Sequence, residues 1–185
     1  FVSETGPKDN RTKRLAIMDQ DGANYKLLKH PPSLVIAPRF SPTSNKIIFT
    51  GYETGKPRVY LMDLSSEEIT SLPELKGMSF APRFSTDGNQ IVLSMAENGN
   101  TDIFITSLVK GTKRRLTTNS AIDTAPSFSP DGTRVVFESD RGGGQQLYII
   151  STEGGEAKRI SFGKGRYATP VWSPRGDLIA FTKIK

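Results

Sequence analysis

The sequence predicts an all-β chain: a β-propeller built of four-stranded antiparallel blades at a 44-residue repeat, with about four blades present. Three observations carry that expectation. The segment from Ala125 to Phe137, APSFSPDGTRVVF, has close copies beginning at Ala37, Ala81 and Thr169, so the copies stand 44 residues apart with no insertion or deletion. A period in the low forties is that of a four-stranded propeller blade and exceeds that of most helical repeats. Within the copies a tight turn separates two short apolar runs, Asp-Gly in two of them and Arg175-Gly176 in a third. Asp-Gly between apolar runs marks a hairpin, because glycine takes the positive φ that the turn requires.

The strands follow in order. Each unit opens with a proline and an aromatic residue (Phe40, Phe84, Phe128, Trp172) on an innermost strand. After the turn come Ile47 to Phe49, Ile91 to Leu93, Val135 to Phe137 and Leu178 to Phe181, short runs rich in β-branched and aromatic residues that read as second strands. Third strands are Val59 to Met62, Ile103 to Ile105 and Leu147 to Ile150, with Leu15 to Met18 one period earlier. Continuous apolar runs of this length suit strands covered on both faces by neighbouring sheets. A last strand is expected at Leu28, Leu72, Leu116 and Ile160, after polar turns such as Asp21-Gly22 and Gly154-Gly155. Strands so short and turns so frequent leave no room for a long helix.

This register divides the chain into an incomplete first blade at 1–36, full repeats at 37–80, 81–124 and 125–168, and the first two strands of a further blade at 169–185. Phe1 to Glu4 aligns with a second strand, so the reading expects chain upstream to have been removed. An arc of blades leaves unpaired edges and an uncovered face at each end. Either missing blades complete a larger ring, which is the favoured native state, or the first and last half-repeats pair to close a small one. Edge pairing between two copies of the chain is a further expectation.

Composition narrows the chemistry. With 35% hydrophobic and 24% charged residues the chain is ordinary for a globular protein, and no run approaches a membrane span. Lys and Arg number 25 against 19 acidic residues, yet they cluster only at Arg11 to Arg14 and Lys113 to Arg115. The aromatics sit at core positions of the repeat instead of interleaving a basic stripe, which argues against nucleic-acid binding. Cysteine is absent, so thiol catalysis, thiolate metal sites and disulfides are excluded.

Catalytic constellations are thin. The one histidine, His30, precedes Pro31-Pro32 and reads as a surface loop residue. Ser41, Ser85, Ser129 and Ser173 occupy one repeat position, where a structural role is expected, and no GxSxG elbow accompanies them. Gly142 to Gly144 and Ser161 to Arg166 lack the order of a phosphate-binding loop and read as connections between strands. Asp19 to Gly22 lacks the later ligands of a calcium loop and reads as a hairpin turn. No cofactor and no metal are expected.

What remains is a rigid scaffold whose loops bind. The stretches just before each inner strand are Leu34 to Ala37, Met78 to Ala81, Ile122 to Ala125 and Arg166 to Thr169, read as loops in which residues vary beside a fixed proline. Varied residues on a rigid frame carry specificity. Met78, Phe80 and Tyr167 are the apolar and aromatic anchors among them.

The repeated SPDG, the strand pair around it and the Leu147 to Ile150 type of strand resemble the WD40-like repeat of the TolB propeller family. FVSETGPK from Phe1, RLAIMDQDGAN from Arg14, FESDRGG from Phe137 and RISFGKGRYATPVWSPRGDLIAFTK from Arg159 resemble its alphaproteobacterial type over the whole chain. The resemblance implies a non-enzymatic protein of the periplasm, in the Tol-Pal envelope system, supporting outer-membrane integrity and cell division. It implies an N-terminal α/β domain and a six-bladed propeller, of which the first domain and two blades lie outside this chain. The implied partner is the peptidoglycan-associated lipoprotein Pal, at one mouth of the channel, a mouth also used by colicin mimics; other Tol proteins are further partners. The family's contact segments carry over to Met78, Ala81, Thr124 and Ala125, with Phe80, Asp123 and Tyr167 added as neighbours. Met78 and Ala125 stand where enterobacterial members carry a histidine and a glutamate.

Two other classes share the repeat. Propellers of serine oligopeptidases gate an active site, which would require a nucleophile elbow and a histidine on a following α/β domain; neither is present. Sialidase-type propellers put a residue between Asp and Gly and a tryptophan soon after, which Asp131-Gly132-Thr133-Arg134 does not match.

Overall fold

The computed structural model describes residues 1–6, 12–28, 34–53 and 55–185, and every regular element among them is a strand. Among the described residues no helix is long and apolar enough to cross a membrane. A first sheet holds β1 (Val2–Thr5), β2 (Thr12–Ile17) and β3 (Lys26–Leu27). The second holds β4 (Leu34–Phe40), β5 (Lys46–Tyr52), β6 (Pro57–Asp63) and β7 (Ile69–Ser71). The third holds β8 (Met78–Phe84), β9 (Gln90–Glu97), β10 (Asn100–Ser107) and β11 (Thr112–Arg115). The fourth holds β12 (Asp123–Phe128), β13 (Arg134–Ser139), β14 (Gln146–Ser151) and β15 (Lys158–Arg159), and the last β16 (Arg166–Trp172) and β17 (Ile179–Ile184). Within each sheet the strands lie in chain order and pair antiparallel, as a meander of hairpins does.

The continuous apolar runs are buried on both faces, as their pattern predicts. Ile91 and Leu93 pack back onto Ile48 and Val59 of the second sheet, while Val92 between them packs forward onto Phe128, Val135 and Phe137 of the fourth. The side-chain period of two thus splits one strand between two interfaces. A third cluster joins Leu15 and Leu28 of the first sheet to Val35, Ile47, Phe49 and Met62 of the second. Phe49 stacks on Tyr60 at 5.7 Å and Phe137 on Tyr148 at 6.1 Å, which locks the second and third strands of two sheets in the same way. Each fully buried side chain of this size contributes about 1.5–3 kcal/mol, so the stacked interfaces dominate stability.

Three local expectations change. The last strands end just before Leu28, Leu116 and Ile160, whose backbone N–H groups still donate to the carbonyls of Leu15, Ile103 and Leu147 at 3.0, 2.7 and 2.9 Å. Phe40 is not a core residue: it is 62% exposed, because the first sheet has no strand residue at the place where Phe128 finds Val92. The stretches read as loops before the inner strands are strand, the leading halves of β4, β8, β12 and β16, except that Ile122 stands just before β12.

First strands of successive sheets touch, β4 to β8, β8 to β12 and β12 to β16, so they run side by side along the inner side of the arc. No described strand of the first sheet touches the last sheet, and the small closed ring does not form. Phe181 and Ile184 of β17 are correspondingly exposed.

Candidate functional site

The leading halves of the first strands alternate in burial. Val35, Ser79, Asp123 and Tyr167 share one repeat position and are all buried, whereas Met78 and Ile122, one residue earlier in their units, are 42% and 54% exposed. Ile36, two residues after Leu34 on the same face, is also exposed. The next residue in every unit turns left-handed: Ala37, Ala81, Ala125 and Thr169 have φ of 54°, 52°, 51° and 50°. At that point the pairing with the second strand shifts register, a β-bulge in each of the four sheets. Proline follows in each unit, and a bulge tolerates proline because no ladder hydrogen bond is asked of its missing N–H.

A left-handed alanine costs about 1–2 kcal/mol, so something must hold it. The preceding sheet does. The Ala81 N–H donates to Thr50 Oγ1 at 3.2 Å, the Ala125 N–H to Ser94 Oγ at 3.1 Å, and the Thr169 N–H to Glu138 Oε2 at 3.1 Å. Thr50, Ser94 and Glu138 occupy one repeat position and are buried. Glu138 also accepts from Thr124 Oγ1 at 2.7 Å. The bulges at Ala81, Ala125 and Thr169 are therefore tied across the seams between sheets, and the leading halves before them project from a fixed frame.

The seven sequence candidates divide. Met78 is exposed at the start of β8, and Phe80, Ala81, Thr124 and Ala125 are half-buried. Asp123 is fully buried, with both carboxylate oxygens accepting from Arg141 Nη2 at 2.9 and 2.8 Å. Arg141 in turn lies over the Phe137 and Tyr148 rings, at 5.3 and 4.8 Å, so this pair belongs to the interior of the fourth sheet. Tyr167 is buried too; its hydroxyl donates to the Phe162 carbonyl at 2.7 Å and its ring packs on Phe181 at 5.5 Å. Neither Asp123 nor Tyr167 shares the outward face of Met78. Exposed apolar residues that do are Ile122 and Ile36, which lie in the stretches the sequence singles out but are not among the seven. Strand alternation applied to the 44-residue register would have found them, had the stretch been read as strand. The Ile122 N–H is fixed on Asp140 Oδ1 at 2.8 Å. Exposed apolar side chains at the starts of three successive first strands thus form an apolar edge, followed at the start of β16 by the exposed cation of Arg166.

The repeat serines are engaged in their turns. Ser85 and Ser129 each accept from the backbone N–H five residues on, at 2.9 Å, and each donates to the turn aspartate, Asp87 or Asp131, at 2.5 Å. Ser173 does the same with the Leu178 N–H and Asp177, and Ser41 accepts from the Ser44 N–H and hydroxyl. These bonds hold Asp131 well below the ordinary carboxylate range, at about 2, through the Ser129 hydroxyl first and then Thr133. Asp19 and Asp21 likewise accept within their own turn, from Asn24 Nδ2 and the Ala23 N–H. Among the described residues no group of three or more His, Asp or Glu side chains is placed to hold a metal ion. His30 lies outside the described residues.

The family described as TolB beta propeller domain matches residues 1–185. The Tol-Pal system protein TolB of Cereibacter sphaeroides (strain ATCC 17025 / ATH 2.4.3) is 61% identical over 77 residues, which are 42% of this chain and 17% of that protein. The protein of the same name from Zymomonas mobilis is 55% identical over 69 residues, 37% of this chain and 15% of that protein. In three dimensions, the crystal structure of TolB from Acinetobacter baumannii superposes with a TM-score of 0.78 at 33% identity, covering 91% of this chain and 42% of that one. The chain thus spans less than half the length of that solved relative.

Proposed function

The chain belongs to the TolB beta propeller family, and from that premise we propose that it is a non-enzymatic protein-binding platform of the Tol-Pal system, docking the lipoprotein Pal in the periplasm. The apolar edge of Met78, Ile122 and Ile36 carries this reading: exposed apolar side chains whose backbone is held by hydrogen bonds are anchors that a partner can bury without first ordering them. The relatives' name, which joins Tol and Pal, supports the choice of partner. Binding chemistry also accords with the repeat serines, whose hydroxyls are engaged in turns. In this reading the blades divide at residues 37, 81, 125 and 169, and further chain completes a six-bladed ring in which the edge lies at the channel mouth.

The test is a titration of the chain against the Pal domain of the same organism, with Met78→Arg, Ile122→Arg and a rim control, Lys110→Ala. Each edge variant should weaken binding by about tenfold or more and the control by less than about twofold. Arginine at Ala125 is a poorer probe, since that residue holds the left-handed bulge. Equal affinities for all four proteins, or a larger loss in the control, would remove the edge from the interface.

A further inference from the structure

Beyond the bulge, the first strands carry a second feature that the partner reading does not use. Arg39 on β4 and Arg83 on β8 occupy the same repeat position on touching strands; the next two units have Ser127 and Val171 there. The Ser127 hydroxyl accepts from the Trp172 N–H of the following first strand, at 3.5 Å, so this position faces the next unit. The same register turns Arg39 towards β8, where Arg83 stands.

Among the described residues each guanidinium makes one hydrogen bond, to the carbonyl of its own preceding proline: Arg39 Nη1 to Pro38 at 2.7 Å and Arg83 Nη1 to Pro82 at 2.9 Å. A guanidinium has five N–H donors, so most of this fork has no partner among the described residues. Among the described residues no carboxylate stands within salt-bridge distance of either arginine, although Arg115 and Arg141 both have one. Burial, and then the neighbouring charge of Arg39, lower the Arg83 guanidinium to about 10, which still leaves it charged at neutral pH. Two like charges, one of them half-buried and neither neutralised by a described residue, are unfavourable unless an anion joins them.

We propose that Arg39 and Arg83 together receive an oxyanion, the chemistry shared by phosphate and carboxylate groups, between the first strands of the second and third sheets. Planar guanidinium forks bind such groups with paired hydrogen bonds, and two forks from adjacent strands would enclose one. The site is distinct from the apolar edge, so its test and that of the Pal reading stand or fall separately.

Thermal melts of the chain decide it, with inorganic phosphate in one arm and glutarate in the other, each against sodium chloride at matched ionic strength. At tenfold excess over Kd, the anion should raise Tm by about 3 °C and saturate. Arg83→Gln should melt higher than the parent without anion, since an unpaired half-buried charge has gone, and should lose the anion-dependent rise. Arg83→Lys keeps the charge without the fork and should retain a reduced rise; Arg39→Gln, at the more exposed member, should abolish the rise with the fold intact. A rise with phosphate alone or glutarate alone supports the site and names its ligand class. No rise with either anion, the same rise in both glutamine variants as in the parent, or an Arg83→Gln protein that melts lower without anion would overturn the proposal.

Discussion

The backbone N–H of Ala125 donates to the hydroxyl of Ser94 at 3.1 Å, across the seam between the third and fourth sheets. One hydrogen bond thereby fixes a left-handed residue, a bulge and the direction of the strand that precedes it. Removing the acceptor leaves a part-buried donor without that partner. Ser94→Ala should cost about 1–3 kcal/mol in urea unfolding. Ser94→Thr supplies the hydroxyl that Thr50 provides one unit earlier, and it should recover most of that loss.

Ala125 itself is strained, with φ of 51°. Glycine occupies that region freely but gives up more chain entropy on folding. Ala125→Gly should therefore stabilise by about 0.5–1 kcal/mol, and Ala125→Val, β-branched, should destabilise by more than about 1 kcal/mol. Equal midpoints for the three proteins would show that the bulge stores no strain.

Asp123 and Arg141 form a buried pair, the carboxylate wholly enclosed and the guanidinium stacked over two rings. Arg141→Ala alone should cost about 3–5 kcal/mol, because it strands a charge in the interior. Asp123→Ser adopts the residue that Ser79 provides at that position, and combining it with Arg141→Ala should cost less than the two single changes added together. The double-mutant cycle in denaturant reads this directly. Strict additivity would mean that the two groups are not coupled.

Asp131 is held down to about 2 by the Ser129 hydroxyl and the Thr133 N–H and hydroxyl. A carboxyl whose folded value lies below its unfolded value of about 3.9 adds stability above the unfolded value, and that contribution is lost as pH falls through the folded one. The stability gap between the parent and Asp131→Asn should be constant from pH 7 to about 5, then close between pH 4 and 2. Chemical denaturation at a series of pH values measures it. A gap that persists unchanged at pH 2 would show that the charge plays no part in the turn.

Much of this molecule was legible from its letters. The 44-residue register placed second and third strands correctly, because Ile91-Val92-Leu93 and its counterparts are continuous apolar runs that only a strand covered on both faces accommodates. The roles of Ser85 and Ser129 in their turns followed from their recurrence. The burial of the candidate residues was less legible. Met78, Ile122 and Arg166 are exposed whereas Asp123 and Tyr167 are buried, a difference the sequence reading could not draw, since a stretch read as loop has no inside and outside to alternate between.

The sequence determined the period, the all-β class, the strand cores and the turn chemistry, all of them local patterns of polarity and backbone preference. Tertiary structure alone decided the rest. Alanine or threonine before proline carries no signal for a left-handed bulge; it takes Thr50, Ser94 and Glu138, reaching over from the preceding sheet, to hold one at Ala81, Ala125 and Thr169. Nor does a lone arginine in each of two distant repeats announce a pair, until strand packing brings β4 against β8 and leaves Arg39 and Arg83 side by side without a counter-charge among the described residues. Such properties depend on which strands become neighbours, and that is set by the stacking of whole sheets and not by any segment of the chain.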